Sequence, residues 1–355
     1  MATIATIATI ATIGMLSLMG VSCASEDTER QEDPSEDMTP GEPGGADTDI
    51  ARPAGTYEVG RAERTYVDTT RPTAAHGGQP ELPTRTLETL VLYPAASPGE
   101  GTGALEGSWP MILFSHGSTR ASIDYVDTLS WWASAGYIVV APDFPLSSTG
   151  TPGGTAYGDY EEQTKDVSFV IDSVIADDDP IAPDGPPLGR LIDPERIGAG
   201  GQSFGAITTL GVVAAQCCAD ERIGVATEFA GMLLPFSSGT ALATSVSGVP
   251  ILFVHGDEDP TVAYDAGRTA WSTIGAPGGF LTLVGTGHDD GYFGGGSTGL
   301  DQLVSDATLA FYDRGLKPSD SDGDRTAMEK VQELVDDAGP DVATLEVSPA
   351  GRGTD

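Results

Sequence analysis

The sequence predicts an α/β protein with a doubly wound, mostly parallel sheet and helices on both faces. Two short runs, at residues 111–115 and 137–141, are almost wholly apolar, as is typical of strands buried on both faces of a parallel sheet. Helical periodicity is clearest at residues 167–175, where apolar residues recur after three, four, seven and eight positions. Strands that alternate with helices in this way indicate parallel strands joined by crossover helices. With 355 residues, of which 39% are hydrophobic, the chain can bury one large core.

The predicted elements follow one another between residues 57 and 311. Strands are expected at residues 57–60, 87–93, 111–115, 137–141, at a short run from residue 197, and at 224–229, 250–254 and 280–284. Helices are expected at residues 122–134, at the periodic segment 167–175, and at 206–215, 264–273 and 300–311. Gly136 closes the first helix, because glycine tolerates the left-handed backbone that commonly follows a helix. Pro142 ends the strand before it, since proline has no N–H to donate within a sheet.

Four regions are expected along the chain: an export signal at residues 1–22, an acidic disordered tether at 23–54, the α/β domain at 55–316 and an acidic C-terminal tail at 317–355. Residues 1–22 are uncharged and rich in Ala, Thr, Ile, Leu and Met, which favours export, with a membrane-spanning helix as the alternative. Cys23 follows Gly20-Val21-Ser22, which resembles the processing site of bacterial lipoproteins. The protein is therefore expected to be secreted, or to be lipid-anchored through Cys23 to a bacterial cell envelope.

The acidic composition excludes nucleic acid as an expected partner. The formal net charge is −36 and the sequence pI is about 4.1, whereas a nucleic-acid-binding surface needs a basic face. Residues 24–50 carry ten acids against one arginine, and residues 317–355 carry ten acids against four bases. The rest of the chain is still strongly acidic. We interpret this charge as a source of solubility rather than as a binding site.

Neither a metal nor a cofactor is expected. Cys217 and Cys218 are adjacent, and we expect free thiols at a helix end, with a strained disulfide as the alternative. No cysteine spacing in the sequence matches a metal site. Residues 320–324 alternate aspartate with serine and glycine, but Arg325 breaks the pattern of a calcium loop. We therefore interpret that segment as linker.

The segment Gly201-Gln202-Ser203-Phe204-Gly205 follows a predicted strand and precedes a predicted helix. A strand that turns directly into a helix holds the central serine in a strained conformation, with its hydroxyl raised above the sheet edge. Side chains two residues before and after this serine would collide across the turn, which explains both glycines. The helix N-terminus then lies under the serine oxygen, where its unpaired N–H groups favour negative charge. Ser203 is therefore the candidate nucleophile.

A serine nucleophile needs a base within hydrogen-bond distance and a carboxylate that orients the base. His288 lies in a glycine-rich loop directly after a predicted strand, so we expect it at the same sheet edge as Ser203. His116 and His255 each precede a glycine at a strand end and are expected to shape their loops. His76 lies in a polar segment without catalytic context. His288 is therefore the candidate base.

The orienting carboxylate is expected after the strand at residues 250–254, where Asp257-Glu258-Asp259 follows. Asp259 is the candidate, because it lies several residues beyond the strand end, where the loop can turn back over the sheet. Asp257 and Glu258 are its rivals, and a solvated acidic turn is the alternative for all three. The order serine, aspartate, histidine along the chain is the order in which α/β-hydrolases carry their triad.

The reaction of such a triad also needs N–H donors for an oxyanion. We expect one donor at the backbone of Phe204, directly after the nucleophile. The other is expected at Ser118, in the loop after the strand at 111–115, where Gly117 lets the backbone approach a substrate. The candidates for contact with the substrate follow another strand end and are Met232, Leu233 and Phe236.

These motifs resemble the bacterial branch of α/β-hydrolases related to platelet-activating-factor acetylhydrolases, often described as predicted dienelactone hydrolases. The segments that carry the resemblance lie between about residues 56 and 315 and are Tyr57-Glu58-Val59-Gly60, Leu90-Val91-Leu92-Tyr93-Pro94, Phe114-Ser115-His116-Gly117, Gly201-Gln202-Ser203-Phe204-Gly205 and Gly287-His288. Gln202 stands where the family usually has histidine, and Ser203 stands where true dienelactone hydrolases have cysteine. The resemblance implies the α/β-hydrolase fold and a carboxylic ester hydrolase that uses no cofactor.

The expected function is that of a serine esterase that forms an acyl-enzyme on short-chain, lipid or polyester-type esters. Three alternatives stay open: a serine peptidase or amidase, a perhydrolase, and a binding protein that keeps the fold without catalysis. The sequence shows no evident propeller or large lid, which argues against a peptidase. The intact set of three partners argues against a mere binding protein. The expected partner is a small-molecule or polymeric ester, and the expected assembly is a monomer.

Overall fold

A mixed sheet of ten strands organises the part of the chain that the structure describes. This computed structural model describes residue 55 and residues 57–236, 248–295, 299–317 and 327–348. The strands are β1 (Glu58–Asp68), β2 (Arg85–Ala95), β3 (Gly99–Glu100), β4 (Trp109–Ser115), β5 (Ile138–Asp143), β6 (Ile192–Gln202), β7 (Ile223–Phe229), β8 (Ile251–Gly256), β9 (Gly278–Leu283) and β10 (Ala343–Val347). The expected export signal and tether, Cys23 among them, and the motif at 320–324 lie outside the described residues.

The strand order across the sheet is β10-β9-β8-β7-β6-β4-β5-β2-β1-β3. The six strands from β4 to β9 run parallel, which confirms the predicted doubly wound, mostly parallel sheet, and β1, β2 and β10 pair antiparallel. β5 lies on one side of β4 and β6 lies on the other, so the chain reverses its direction across the sheet at β4. In open α/β sheets a ligand crevice forms at the carboxyl ends of the strands beside such a reversal.

The helices of the described chain cover both faces of the sheet. They are α1 (Val126–Ser134), α2 (Tyr160–Ile175), α3 (Leu188–Leu191), α4 (Phe204–Ala214), α5 (Tyr264–Ile274), α6 (Gly299–Leu316) and α7 (Ala327–Ala338). One buried apolar cluster includes side chains of α1, α6 and α7, and the other includes side chains of α2, α4 and α5. Successive strand residues serve opposite clusters, as Ile112 and Leu113 do, because side chains alternate along a strand.

The predicted C-terminal tail is wrong over residues 327–348, since this segment belongs to the folded domain. α7 buries Met328, Val331 and Val335 in the first of the two clusters. β10 then pairs with β9 from Ala343 opposite Leu283 onward. The six acidic residues of this region are exposed, and the apolar residues between them recur with helical or strand periodicity.

Cys217 and Cys218 form a disulfide, so the expectation of free thiols is also wrong. The two cysteines lie in the turn after α4, where the Cys218 N–H donates to the Ala215 carbonyl at 3.0 Å. Adjacency in sequence favours free thiols over a disulfide, because it does not reveal such a turn. Among the described residues, no helix combines the length and the apolar character needed to cross a bilayer.

Candidate active site

Ser203 lies between the end of β6 and the first residue of α4, and its backbone is strained. Its φ of 55° falls in the left-handed region, which residues other than glycine rarely adopt. The Ser203 N–H donates to the Phe229 carbonyl at the end of β7 at 2.8 Å, which anchors the turn. A β-carbon at Gly201 would lie 2.4 Å from the Gly205 carbonyl oxygen, and one at Gly205 would lie 2.0 Å from the Ser115 carbonyl oxygen. These close backbone approaches leave no room for a side chain at either glycine of the motif.

The structure brings Ser203, His288 and Asp259 together in one hydrogen-bonded series. His288 Nε2 lies 2.9 Å from Ser203 Oγ, and His288 Nδ1 lies 2.7 Å from Asp259 Oδ2. Asp259 Oδ1 accepts the N–H groups of Thr261 and Val262 at 2.7 and 2.8 Å, so the carboxylate has a fixed orientation. With Nδ1–H donating to Asp259, Nε2 is left to accept the serine proton.

The rival acids after β8 have other partners. Asp257 Oδ1 accepts the Gly285 N–H at 2.6 Å, which ties the loop after β8 to the loop after β9. Glu258 is exposed, and its N–H donates to the Thr286 carbonyl at 3.0 Å. Both residues therefore hold the loop that carries His288, while Asp259 alone of the three meets the imidazole.

His116 and His255 are buried and act within their loops, as predicted. His116 Nε2 accepts the Phe144 N–H at 3.0 Å, and its Nδ1 lies 2.8 Å from the Gly117 carbonyl oxygen. His255 Nε2 lies 3.0 Å from the Val262 carbonyl oxygen, behind the carboxylate of the triad. Burial lowers the pKa of both imidazoles and favours their neutral forms. No group of three His, Cys, Asp or Glu side chains in the described chain is placed to hold a metal ion.

Ser118 and Phe204 line a cavity of about 730 Å³ together with Ser203 and His288. Neither backbone N–H donates to another group of the described chain. Phe204 is the first residue of α4, where a helix leaves its N–H groups unsatisfied. The Gly117 N–H, by contrast, donates to the Tyr125 hydroxyl at 3.0 Å. The loop after β4 therefore leaves the Ser118 N–H available, and the residues of both expected oxyanion donors line the same cavity as the serine.

Met232 lines this cavity, but Leu233 and Phe236 do not line its described part, which corrects the predicted lining. Leu233 packs instead against the second apolar cluster, and Phe236 is buried with its ring centroid 5.2 Å from that of Tyr160. Leu234 lines the cavity in their place. The lining residues that sequence reasoning missed are Thr119, Arg120, Asp124, Thr149, Tyr157, Gln202, Ile207, Leu234, Thr261, Val262 and Asp289.

Gln202, the residue before the nucleophile, connects two loops of the site. Its Oε1 accepts the Tyr125 hydroxyl at 2.8 Å, and its Nε2 donates to the His288 carbonyl at 3.2 Å. Tyr125 in turn holds the Gly117 N–H. The amide therefore links the loop of the oxyanion donor to the loop of the base, and it satisfies its own polar groups in a buried place.

Arg120 and Asp289 pair across the rim of the cavity. Their side chains meet at 2.9 Å, and the Arg120 guanidinium lies 4.8 Å from the ring centroid of Phe293. Both charged groups are exposed, so the pair adds only about 0–1 kcal/mol to stability. The pair joins the loop of Ser118 to the loop of His288, because Arg120 follows Ser118 by two residues and Asp289 follows His288 directly.

Glu228 is a fully buried acid in β7, one residue before Phe229. Burial raises the pKa of its carboxyl to about 8, and the neighbouring Gly231 N–H opposes this only in part. A β-carbon at Gly231 would lie 2.1 Å from Glu228 Oε1, so the glycine makes room for the carboxyl. Below that pKa the group is a neutral acid next to the strand end that anchors Ser203.

Two comparisons with known proteins found similarities to this chain. A family model described as Chlorophyllase matches residues 100–157, which include β4 and the Ser118 loop. A solved structure, the ferulic acid esterase from Streptomyces cinnamoneus, is similar with a TM-score of 0.57 and 17% sequence identity, over 83% of this chain and 98% of that chain. No curated protein matches the sequence. The shared architecture and the strand order show that the chain has the α/β-hydrolase fold.

Proposed function

We propose that the protein is a serine carboxylic ester hydrolase that works through an acyl-enzyme. The observation that carries this proposal is the bonded series of Ser203, His288 and Asp259 beside two backbone N–H groups without partners in the described chain. A nucleophile, a base, an orienting acid and two donors are what acyl transfer needs at one point. The structural neighbour is described as an esterase, which supports an ester rather than an amide as the substrate.

The reaction follows from the positions of these groups. Ser203 Oγ attacks the ester carbonyl while His288 Nε2 takes the serine proton, and Asp259 stabilises the imidazolium. The N–H groups of Phe204 and Ser118 bind the oxyanion of the tetrahedral intermediate. His288 then gives its proton to the leaving alcohol, and an acyl-serine remains. Water attacks the acyl-serine by the same route, with His288 again as base, and releases the acid.

The cavity supports esters with an apolar acyl group. Its apolar lining comes from Phe204, Ile207, Met232 and Leu234, while Arg120 and other polar side chains lie at the rim. About 730 Å³ is the size of a typical small-molecule site, and the cavity is open to solvent. We therefore include short-chain, lipid and polyester-type esters in the proposed substrate class.

Secretion or lipid anchoring through Cys23 belongs to the same proposal and rests on the uncharged segment 1–22. Cys23→Ser is expected to move the protein from the membrane fraction to the soluble fraction of cells. Equal membrane retention of the variant would contradict the lipid anchor.

The test of the function is Ser203→Ala, compared with wild type on p-nitrophenyl acetate, butyrate and octanoate. We expect kcat to fall by about 10⁴-fold or more, because the nucleophile is lost while the fold is kept. Ser305→Ala is the matched control, since Ser305 is a fully buried serine of α6 without a hydrogen-bond partner in the described chain. An inactive wild type, or full turnover by Ser203→Ala, would overturn the proposal.

A further inference from the structure

We propose that three buried polar side chains, Ser147, Gln163 and Thr208, position the two oxyanion donors relative to each other. We call these three residues the Gln163 network. The inference rests on the proposed function and names residues that support that reaction without touching the substrate. Its basis is a continuous series of hydrogen bonds that begins in the elbow helix α4, crosses α2 and ends at the loop of Ser118.

The central member is Gln163, whose amide is satisfied at both ends. The Thr208 hydroxyl donates to Gln163 Oε1 at 2.7 Å, and Gln163 Nε2 donates to Ser147 Oγ at 2.7 Å. All three side chains are fully buried. An amide carries both an acceptor and donors, so glutamine can join two hydroxyl groups in a way that no apolar side chain of that size can. In a dry interior such bonds are strong and restrict the geometry of the groups they join.

One end of the Gln163 network reaches the first oxyanion donor. Thr208 lies one helical turn after Phe204, and its hydroxyl is 3.3 Å from the Phe204 carbonyl oxygen. The two helices touch closely below this point, because a β-carbon at Gly211 of α4 would lie 2.5 Å from Thr164 Cγ2 of α2. A shift of α2 is therefore transmitted to the start of α4, where the Phe204 N–H lies.

The other end reaches the second donor through a strained residue. The Ser147 carbonyl accepts the Thr119 N–H at 2.7 Å, and the Thr149 hydroxyl donates to the Thr119 carbonyl at 2.9 Å. Thr119 has a φ of 60°, which is an outlier for a β-branched side chain. Strained backbone persists only where its surroundings over-determine it. The anchored segment at 147–149 supplies that restraint, and it thereby fixes the backbone directly after Ser118.

This positioning role explains why the buried Gln163 network is polar, although apolar side chains could fill the same space. Oxyanion donors act without reorganisation only when they are fixed before the substrate arrives. The two donors follow different strands, Ser118 in the loop after β4 and Phe204 at the start of α4 after β6, and the Gln163 network connects these segments outside the sheet. Its expected contribution is therefore to kcat, through the geometry of the oxyanion hole, rather than to substrate affinity or to the pKa of the base.

The experiment compares Thr208→Val with Thr209→Val. Both are isosteric changes at buried threonines of α4, but within the described chain the Thr209 hydroxyl bonds only the Gly205 carbonyl of its own helix, at 3.0 Å. We expect Thr208→Val to lower kcat on p-nitrophenyl butyrate on the order of tenfold. Its affinity for n-butylboronic acid, which forms a tetrahedral adduct with serine, should fall by a similar factor. KM and the pH profile should stay within about twofold of the wild type, and Thr209→Val should match the wild type throughout.

Ser147→Ala tests the same series from its other end, with Ser148→Ala in the same loop as its control. Because Ser147 and Thr208 act through one glutamine, the double variant should lose no more kcat than either single variant. The inference is overturned if Thr208→Val equals Thr209→Val in kcat, if the losses appear only in KM, or if the two single effects multiply. An inactive wild type would instead overturn the proposed function, and this inference with it.

Discussion

Replacement of Glu228 by glutamine should change how the stability of the protein depends on pH. The carboxyl has a pKa of about 8 in the folded protein against an ordinary value of 4.5, because burial disfavours its charged form. A group whose pKa is raised by folding contributes stability that is fully present below pH 4.5. That contribution is lost as the pH rises toward 8, because the unfolded chain ionises there and the folded chain does not.

The magnitude follows from the two pKa values. Each pH unit in this window lowers the free energy of unfolding by about 1.4 kcal/mol, so the loss between pH 4.5 and pH 8 is roughly 5 kcal/mol. Above pH 8 the folded protein ionises as well, and this group adds no further slope. Glutamine does not titrate. The free energy of unfolding of Glu228→Gln should therefore rise relative to that of the wild type by up to this amount between pH 4.5 and pH 8.

Urea unfolding of both proteins at intervals from pH 5 to pH 9 measures the effect. The other titrating groups are common to both proteins, so the difference in unfolding free energy isolates position 228. A constant offset from the new amide does not matter, because the slope is the prediction. Glu195→Gln is the control, since it removes the same formal charge from an exposed position. A difference that stays level from pH 5 to pH 8 would refute the buried neutral acid.

Two further predictions concern the site. Gln202→Leu removes the links to Tyr125 and to the His288 carbonyl, so we expect kcat to fall on the order of tenfold with KM little changed, measured by steady-state ester hydrolysis; an unaltered kcat would contradict a positioning role for this amide. Leu234→Ala should shift the chain-length profile toward longer acyl groups, whereas Leu233→Ala should leave that profile unchanged and reduce stability by about 1–3 kcal/mol; the reverse pattern would contradict the corrected lining.

The turn at Ser203 could be predicted from sequence because its motif is local. Gly201 avoids the Gly205 carbonyl within the turn, whereas Gly205 avoids the Ser115 carbonyl of β4, a contact that the motif does not show. The proximity of Asp259 and His288 could be predicted for a different reason. Parallel strands end at one edge, so residues shortly after β8 and β9 must share it.

Contacts between residues far apart in sequence could not be predicted in this way. Gln202 meets Tyr125 and His288 across 77 and 86 positions, and no periodic pattern records such a pairing. The sequence predicted Leu233 in the cavity lining, whereas the neighbouring Leu234 lies there, because the sequence alone does not show which side chain of that segment faces the cavity. That residues 327–348 belong to the domain was missed because their acidic residues are typical of a solvated tail, although α7 has a regular apolar stripe.

The position of β10 has a consequence for biosynthesis. This strand covers β9, which leads into the loop of His288. Residues 343–347 leave the ribosome after every other strand of the sheet, so the nascent chain exposes β9 as an open edge until they arrive. An open edge offers unpaired N–H and carbonyl groups to other chains. Translation that stalls before this strand therefore leaves a nascent protein in which β9, the strand before the loop of His288, can aggregate through its open edge.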